Sequence, residues 1–213
     1  MAGITDGARV LWGAGTPRTM RAHWMLHELE LAYESRPIGS RTGETRTPEY
    51  IRLNPSQKIP VLRDGDFVLS ESAAIVNYLA QSYGASRNLL LPADTKDRAR
   101  YDEWCFFIMM ELDADTLYII RRHEGLAELY GEAPNAVKAA RDCFRRQAQA
   151  AAQRLAGPFV LGERFSGADV LLTTCLANAA RRQIELPDAL HEYVTRCTAR
   201  AAYRLAEVAN RPR

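Results

Sequence analysis

The chain has 213 residues, 47% of them hydrophobic, enough apolar material for one large core or two modest ones. Its 28 Lys+Arg against 26 Asp+Glu leave a net charge of +2 at pH 7, too small for general attraction to nucleic acid or an acidic membrane, although Arg-Arg pairs at 121, 145 and 181 make local positive spots. No apolar run is long enough to span a bilayer, and MAGITDGARVLW lacks the basic start and apolar stretch of a signal peptide, so a cytoplasmic location is expected.

Val10, Leu11 and Trp12 form a short apolar strand that ends at Gly13. Gly13-Ala14-Gly15-Thr16 is a turn, and Pro17 suits the first position of a helix continued by Met20, Trp24, Leu26, His27 and Leu29. Thr16 therefore sits at or next to the N-cap. The histidines at 23 and 27 share a helical spacing, but they lack a zincin glutamate or a third ligand, so no metal is expected. Residues 32–38 offer a second strand, 39–47 a polar loop, and Thr47-Pro48-Glu49 opens a short helical turn through Leu53.

The stretch from Asn54 to Tyr83 carries a strand, a hairpin and a helix start in one run. Lys58-Ile59-Pro60-Val61-Leu62 enters a strand through a proline, Asp64-Gly65 signals a tight turn, and Phe67-Val68-Leu69 returns. Pro60 cannot donate to a sheet ladder, so it belongs at a strand's first residue or edge, where an extended peptide can pair. Ser70-Glu71-Ser72 then precedes a helical pattern at Ala73, Ile75, Val76, Tyr78 and Leu79. A carboxylate docked at that helix start would be held by free N–H groups and the Ser72 hydroxyl, while Glu71 accepts from an ammonium on the same molecule. That is a site for an amino-acid head.

Residues 84–92 break the pattern and read as a linker, after which the chain is helical to its end. Residues 93–123 form a long helix with Cys105, Met109, Leu112, Ile119 and Ile120 on one side, and Tyr101, Trp104, Ile108, Glu111, Asp115, Tyr118 and Arg122 on another. The second face either lines a cleft or packs on a neighbouring helix or a second subunit. Residues 135–155 make another long helix, with Val137, Ala140, Phe144, Ala148 and Leu155 on one side. Ser166 and Asp169 form a reciprocal cap for the helix that follows, and helices over 190–196 and 201–208 end the chain. Cys105, Cys143, Cys175 and Cys197 show neither C-x-x-C nor metal spacing and read as buried hydrophobes.

The order β-α-β-α-β-β-α, with a proline entering the third strand and no C-x-x-C, is similar to the glutathione-binding version of the thioredoxin fold. NP-x-x-K-I-P-V-L, then D-G-D, then L-x-E-S-x-A-I-x-x-Y-L resembles the glutathione-site signature of the cytosolic glutathione S-transferases, and S-x-A-D at Ser166–Asp169 resembles the start of the central helix of that family's second domain. The resemblance implies an α/β thioredoxin-like domain over 8–83 and an all-α helical bundle domain over 93–213. It implies a cis Pro60, backbone pairing of Ile59 with the cysteinyl part of glutathione, and Glu71 and Ser72 on the γ-glutamyl end, with Lys58 reaching the glycyl carboxylate. Gln57 departs from the glycine found there in many members. Ser166 and Asp169 are assigned to folding.

Glutathione chemistry needs a thiolate, and a free thiol with a pKa near roughly 8.5 is mostly protonated at neutral pH. A hydroxyl at the first helix's N-terminus, assisted by the helix dipole, stabilises the anion. The run T-P-R-T-M-R resembles the T-P-N-G of the bacterial nu class and the S-P-F-x-x-R or C-P-F-x-x-R of the tau and omega classes, which puts Thr16 in the catalytic position, with Thr19 as the rival donor and a purely capping Thr16 as the alternative. The turn holds no tyrosine or cysteine, so the tyrosine-activated and thiol-exchange classes fit poorly. The resemblance implies a detoxifying enzyme that joins glutathione, its co-substrate, to a small hydrophobic electrophile or uses it to reduce a peroxide or disulfide. The alternative is a transferase-like module that binds a ligand or protein without catalysis. Trp104, Ile108, Glu111 and Tyr118 are candidates for the electrophile pocket, and a homodimer is expected from the resemblance and from the apolar surface of the long helix.

Overall fold

The computed structural model describes residues 9–89 and 91–212, so the leader reading, which depends on residues 1–8, lies outside the described residues. The described residues divide into two compact units, one made by 9–89 with 199–212 and the other by 91–198.

The first unit contains β1 (Val10–Trp12), α1 (Pro17–Glu28), β2 (Glu34–Arg36), α2 (Pro48–Leu53), β3 (Val61–Asp64), β4 (Phe67–Ser70), α3 (Ser72–Tyr83) and α10 (Ala201–Ala209). Its sheet runs β2-β1-β3-β4, with β1 parallel to β2 and antiparallel to β3. This is a thioredoxin-like α/β arrangement. β1 is apolar at every residue because it is paired on both sides and covered on both faces. Val10 and Trp12 join Val61 and Tyr50 in one cluster, with Ile38, Leu53 and Ile59 packed against it. Leu11 and Leu62, opposite each other in the ladder, point to the other face by the two-residue alternation of strands. β2 is shorter than the sequence suggests, since Glu-Ser-Arg at a sheet edge buries little and pairs on one side only. β3 and β4 close the predicted hairpin at Asp64 and Phe67, with Gly65 at φ +63.

Residues 199–212 belong spatially with the first unit because α10 packs on α1. Tyr203 meets the edge of Trp24 with ring centroids 4.9 Å apart. Arg200 donates to both carboxylate oxygens of Glu28, at 2.6 and 2.7 Å, and Trp24 Nε1 donates to the same Glu28 at 2.9 Å.

The second unit is helical: α4 (Thr95–Phe107), α5 (Tyr118–His123), α6 (Ala127–Tyr130), α7 (Pro134–Arg154), α8 (Gly167–Arg181) and α9 (Asp188–Thr198). Between α4 and α5, residues Ile108–Leu117 form a π-helical stretch, so the predicted long helix is continuous but widened in its middle. Asp94 caps it by accepting from the N–H groups of Lys96 and Asp97. α6 adds one short helix between the two predicted long ones. α7 buries Val137, Ala140, Phe144, Ala148 and Ala151, one stripe at helical spacing. At the head of α8, buried Asp169 accepts from the Ser166 N–H, the Ser166 hydroxyl, the Val160 N–H and the Tyr193 hydroxyl, each at 2.8 Å. Burial still raises its pKa despite those bonds, a structural role that matches the capping read from the sequence. The cysteines are free, three of them buried. No helix among the described residues is long and apolar enough to cross a membrane.

Candidate functional site

The carboxyl end of β1, the start of α1, the Ile59-Pro60 bond and the start of α3 meet in the first unit. Gly13 has φ +116, and a Cβ there would lie 2.7 Å from the Ile59 Cβ and 2.8 Å from the Thr19 Cγ2. Only glycine fits both that dihedral and that gap, which brings the strand end, the helix start and Ile59 into contact. The Ile59-Pro60 peptide is cis. The carbonyl of Lys58 accepts from the Tyr50 hydroxyl at 2.6 Å and from Asn54 Nδ2 at 2.9 Å, so the backbone entering Ile59 is pinned while the Lys58 side chain remains exposed. Gln57 adopts φ +54, the left-handed conformation in which glycine is unstrained, so the glutamine holds the same turn at a backbone cost.

Thr16 is the N-cap of α1 and Pro17 follows at N1. The cap is reciprocal: the Thr19 N–H donates to Thr16 Oγ at 3.0 Å, and the Thr16 N–H donates to Thr19 Oγ at 3.0 Å. The two hydroxyl oxygens are themselves 3.0 Å apart. Thr19 is fully buried, whereas Thr16 is 6% exposed. The residues that the sequence offers as rivals are thus a coupled pair, and Thr16 is the member with access to solvent. No acidic side chain sits in the first turn of α1, so the positive end of the helix is undiminished.

The turn between β1 and α1 is held from several directions. Gly13 N–H and Ala14 N–H donate to the carbonyls of Arg36 and Ile38 at 2.9 and 3.0 Å. His23 Nε2 lies 3.1 Å from the Gly13 carbonyl, and its Nδ1 lies 2.7 Å from the Tyr33 hydroxyl. A carbonyl can only accept, so neutral His23 carries its proton on Nε2 and accepts from Tyr33 at Nδ1. Burial pulls its pKa from 6.5 down to about 4, against the opposing bond to Gly13 and with help from nearby His27. Both ring nitrogens are engaged, and among the described residues no group of three or more His, Cys, Asp or Glu is placed to hold a metal ion.

At the start of α3, Glu71 occupies the N-cap position with φ +67 and its side chain caps nothing. A non-glycine residue held in that region stores backbone strain, a feature that gathers at ligand sites. Ser72 is buried, and its hydroxyl accepts from Arg21 Nη1 at 3.1 Å, which leaves the Ser72 proton free to turn toward a bound anion. Arg21 belongs to the same run as Thr16 but carries no role in the sequence reading.

The second-unit candidates have separate surroundings. Trp104 is buried, with the Arg154 guanidinium 4.4 Å from its ring centre, and it lines a cavity of about 420 Å³ with Arg100, Arg154 and Leu161. Ile108 is fully buried. Half-buried Glu111 accepts from Gln147 of α7 at 3.2 Å, and half-buried Tyr118 lies under Arg122 at 5.8 Å.

The family model described as glutathione S-transferase, N-terminal domain, matches residues 9–81. The glutathione S-transferase-like protein gedE of Aspergillus terreus is 37% identical over 46% of this chain and 43% of its own length. Glutathione S-transferase 3 of Zea mays is 39% identical over 42% of this chain and 40% of its own, so the chain spans less than half the length of these curated relatives. A probable maleylacetoacetate isomerase of Vibrio cholerae is 30% identical over 90% of this chain and 91% of its own length. Among solved structures, the theta class glutathione S-transferase of Xanthomonas axonopodis pv. citri with glutathione bound is 29% identical, covers 93% of this chain and 96% of its own, and superposes with a TM-score of 0.77.

Proposed function

Because this chain belongs to the glutathione S-transferase family, we propose that it binds glutathione at the Gly13–Thr16, Ile59-Pro60 and Glu71-Ser72 corner and activates its thiol through Thr16. The observation that carries this is the reciprocal Thr16–Thr19 cap beside a cis Ile59-Pro60, a hydroxyl donor at a positive helix end next to an edge where a peptide can pair. Ile59 offers its backbone to the cysteinyl unit. The γ-glutamyl carboxylate takes the N–H groups of the α3 start and the Ser72 hydroxyl, while Glu71 accepts from the ammonium. Lys58 reaches the glycyl carboxylate.

In this reading the Thr16 Oγ–H and the α1 N-terminus stabilise the sulfur anion, so the thiol loses its proton to solvent without a dedicated base. The thiolate then attacks a small hydrophobic electrophile, forming a C–S bond as the leaving group departs, or, with a second glutathione, it reduces a peroxide or disulfide and is oxidised to glutathione disulfide. In this reading residues 8–83 take the tripeptide. On the helix of the second unit, half-buried Glu111 and Tyr118 suit contact with the second substrate, while Trp104 and Ile108 are buried on the same helix. The family membership also supports a cytoplasmic homodimer.

A second reading, isomerisation of maleylacetoacetate, is favoured by one observation: the relative named for it is matched across 91% of its own length. Steady-state assays of the purified protein with glutathione and, in turn, a chloronitroarene, cumene hydroperoxide, hydroxyethyl disulfide and maleylacetoacetate separate these reactions. Glutathione-dependent turnover with at least one is expected. Tight glutathione binding with no turnover in any would favour a binding module instead.

A further inference from the structure

Asn210 and Pro212, just beyond α10, reach the turn at the start of α1. Asn210, the C-cap of α10, touches it through three groups. Its carbonyl accepts from the Gly15 N–H at 2.8 Å, its Nδ2 donates to the Thr16 carbonyl at 3.2 Å, and its Oδ1 accepts from the Thr19 hydroxyl at 2.6 Å. Pro212 follows and packs over Gly15.

Proton bookkeeping in this cluster is closed except at one place. Thr19 has one hydroxyl hydrogen, and its shortest acceptor is Asn210 Oδ1. With that hydrogen committed, Thr19 Oγ is an acceptor toward Thr16, already taking the Thr16 N–H. Thr16 Oγ accepts from the Thr19 N–H, so its own hydrogen is the only hydroxyl hydrogen of the pair left to donate. At rest it has Thr19 Oγ within 3.0 Å; an arriving thiolate, being charged, is the stronger acceptor and draws it outward. Without the Asn210 side chain, the Thr19 hydrogen falls back on Thr16. It would share the Thr16 carbonyl, 2.9 Å away and already bonded to the Met20 N–H, or donate to Thr16 Oγ and compete with the sulfur.

We propose that Asn210 is a positioning residue for thiol activation: by accepting the Thr19 hydroxyl hydrogen and holding the Thr16 carbonyl, it keeps Thr16 as the donor to the glutathione sulfur. This rests on Thr16 being that donor. It ties the chemistry of the turn to a side chain 191 residues away in sequence, and it gives the docking of α10 on α1 a function beyond packing.

The test is the pH titration of the ultraviolet thiolate absorbance of bound glutathione in the wild type, Asn210→Ala, Thr16→Val and the double variant. Asn210→Ala should move the titration upward by about one pH unit, a roughly tenfold loss of thiolate below the midpoint. The affinity for S-methylglutathione should remain within about twofold, because the Glu71-Ser72 end is untouched. In the Thr16→Val background the Asn210 change should add no further shift, since it acts through the missing hydroxyl. An unchanged titration in Asn210→Ala, or an equal shift with and without Thr16, overturns the inference. If Thr16→Val itself leaves the titration in place, the reading of Thr16 has failed instead, and the inference with it. Should Asn210→Ala not fold, Asn210→Gly removes the same side chain at a helix end that glycine tolerates and carries the same expectations.

Discussion

Arg21, only 1% exposed, donates from Nη1 to the Ser72 hydroxyl at 3.1 Å and so joins the middle of α1 to the first turn of α3. The contact links the thiol end of the site to the γ-glutamyl end through a charged, buried donor. Arg21→Met keeps the stem but removes that donor. It should cost about 1.5–3 kcal/mol of stability, the range for a hydrogen bond to a charged group. Urea denaturation checks this, and a midpoint unchanged from wild type would show that the contact contributes nothing.

Glu71 combines a strained backbone, φ +67, with a side chain that caps nothing. Glu71→Ala should weaken glutathione binding by about 1.5–3 kcal/mol in titration calorimetry without unfolding the protein. Glu71→Gly should lose the same affinity while gaining about 1 kcal/mol of stability, because glycine relieves the strain. Unchanged affinity in both variants would remove Glu71 from the site.

The buried neutral His23 makes stability depend on pH. Its folded pKa, about 4, lies below the ordinary 6.5, so between those values the unfolded chain binds more protons than the folded one. The contribution is fully present above pH 6.5 and is lost as pH falls toward 4, to the extent of about 3 kcal/mol. His23→Gln should be less stable at neutral pH but should show a flatter slope across that window. Chemical denaturation at a series of pH values measures both, and equal slopes would exclude His23 as the origin.

Phe106 and Met110 are 70% and 58% exposed, four residues apart on the long helix. Light scattering at micromolar concentration should give the mass of a dimer, and Phe106→Asp with Met110→Asp should shift it toward the monomer. A monomeric wild type contradicts the expected homodimer.

What the sequence made legible was local. The Asp64-Gly65 hairpin, the caps at Thr16 and Thr47, and the reciprocal cap of Ser166 and Asp169 are each written within a few residues, because turns and helix starts are decided by neighbouring side chains and backbone. The π-helical stretch at Ile108–Leu117 was not legible, since an i→i+5 ladder carries no apolar period distinct from that of an α-helix. Periodicity separates the face holding Trp104 and Ile108 from the apolar side of the helix, but a face that meets a neighbouring helix and one that lines a cleft place the same demand on a sequence. Arg21 stood in the quoted run without a visible partner, because Ser72 is 51 residues away. Asn210 and the Arg200–Glu28 pair left no local trace, since each depends on α10 folding back onto α1.

The most direct test of the account is the pH–rate profile of Thr16→Val with glutathione and a general electrophile. If Thr16 donates to the sulfur, the variant should lose about tenfold or more in kcat/KM at neutral pH for each unit by which the thiol pKa rises, should recover as pH increases, and should bind S-methylglutathione as the wild type does. Full activity at neutral pH, or a loss that no increase in pH restores, would contradict the assignment of Thr16 as the group that activates the thiol.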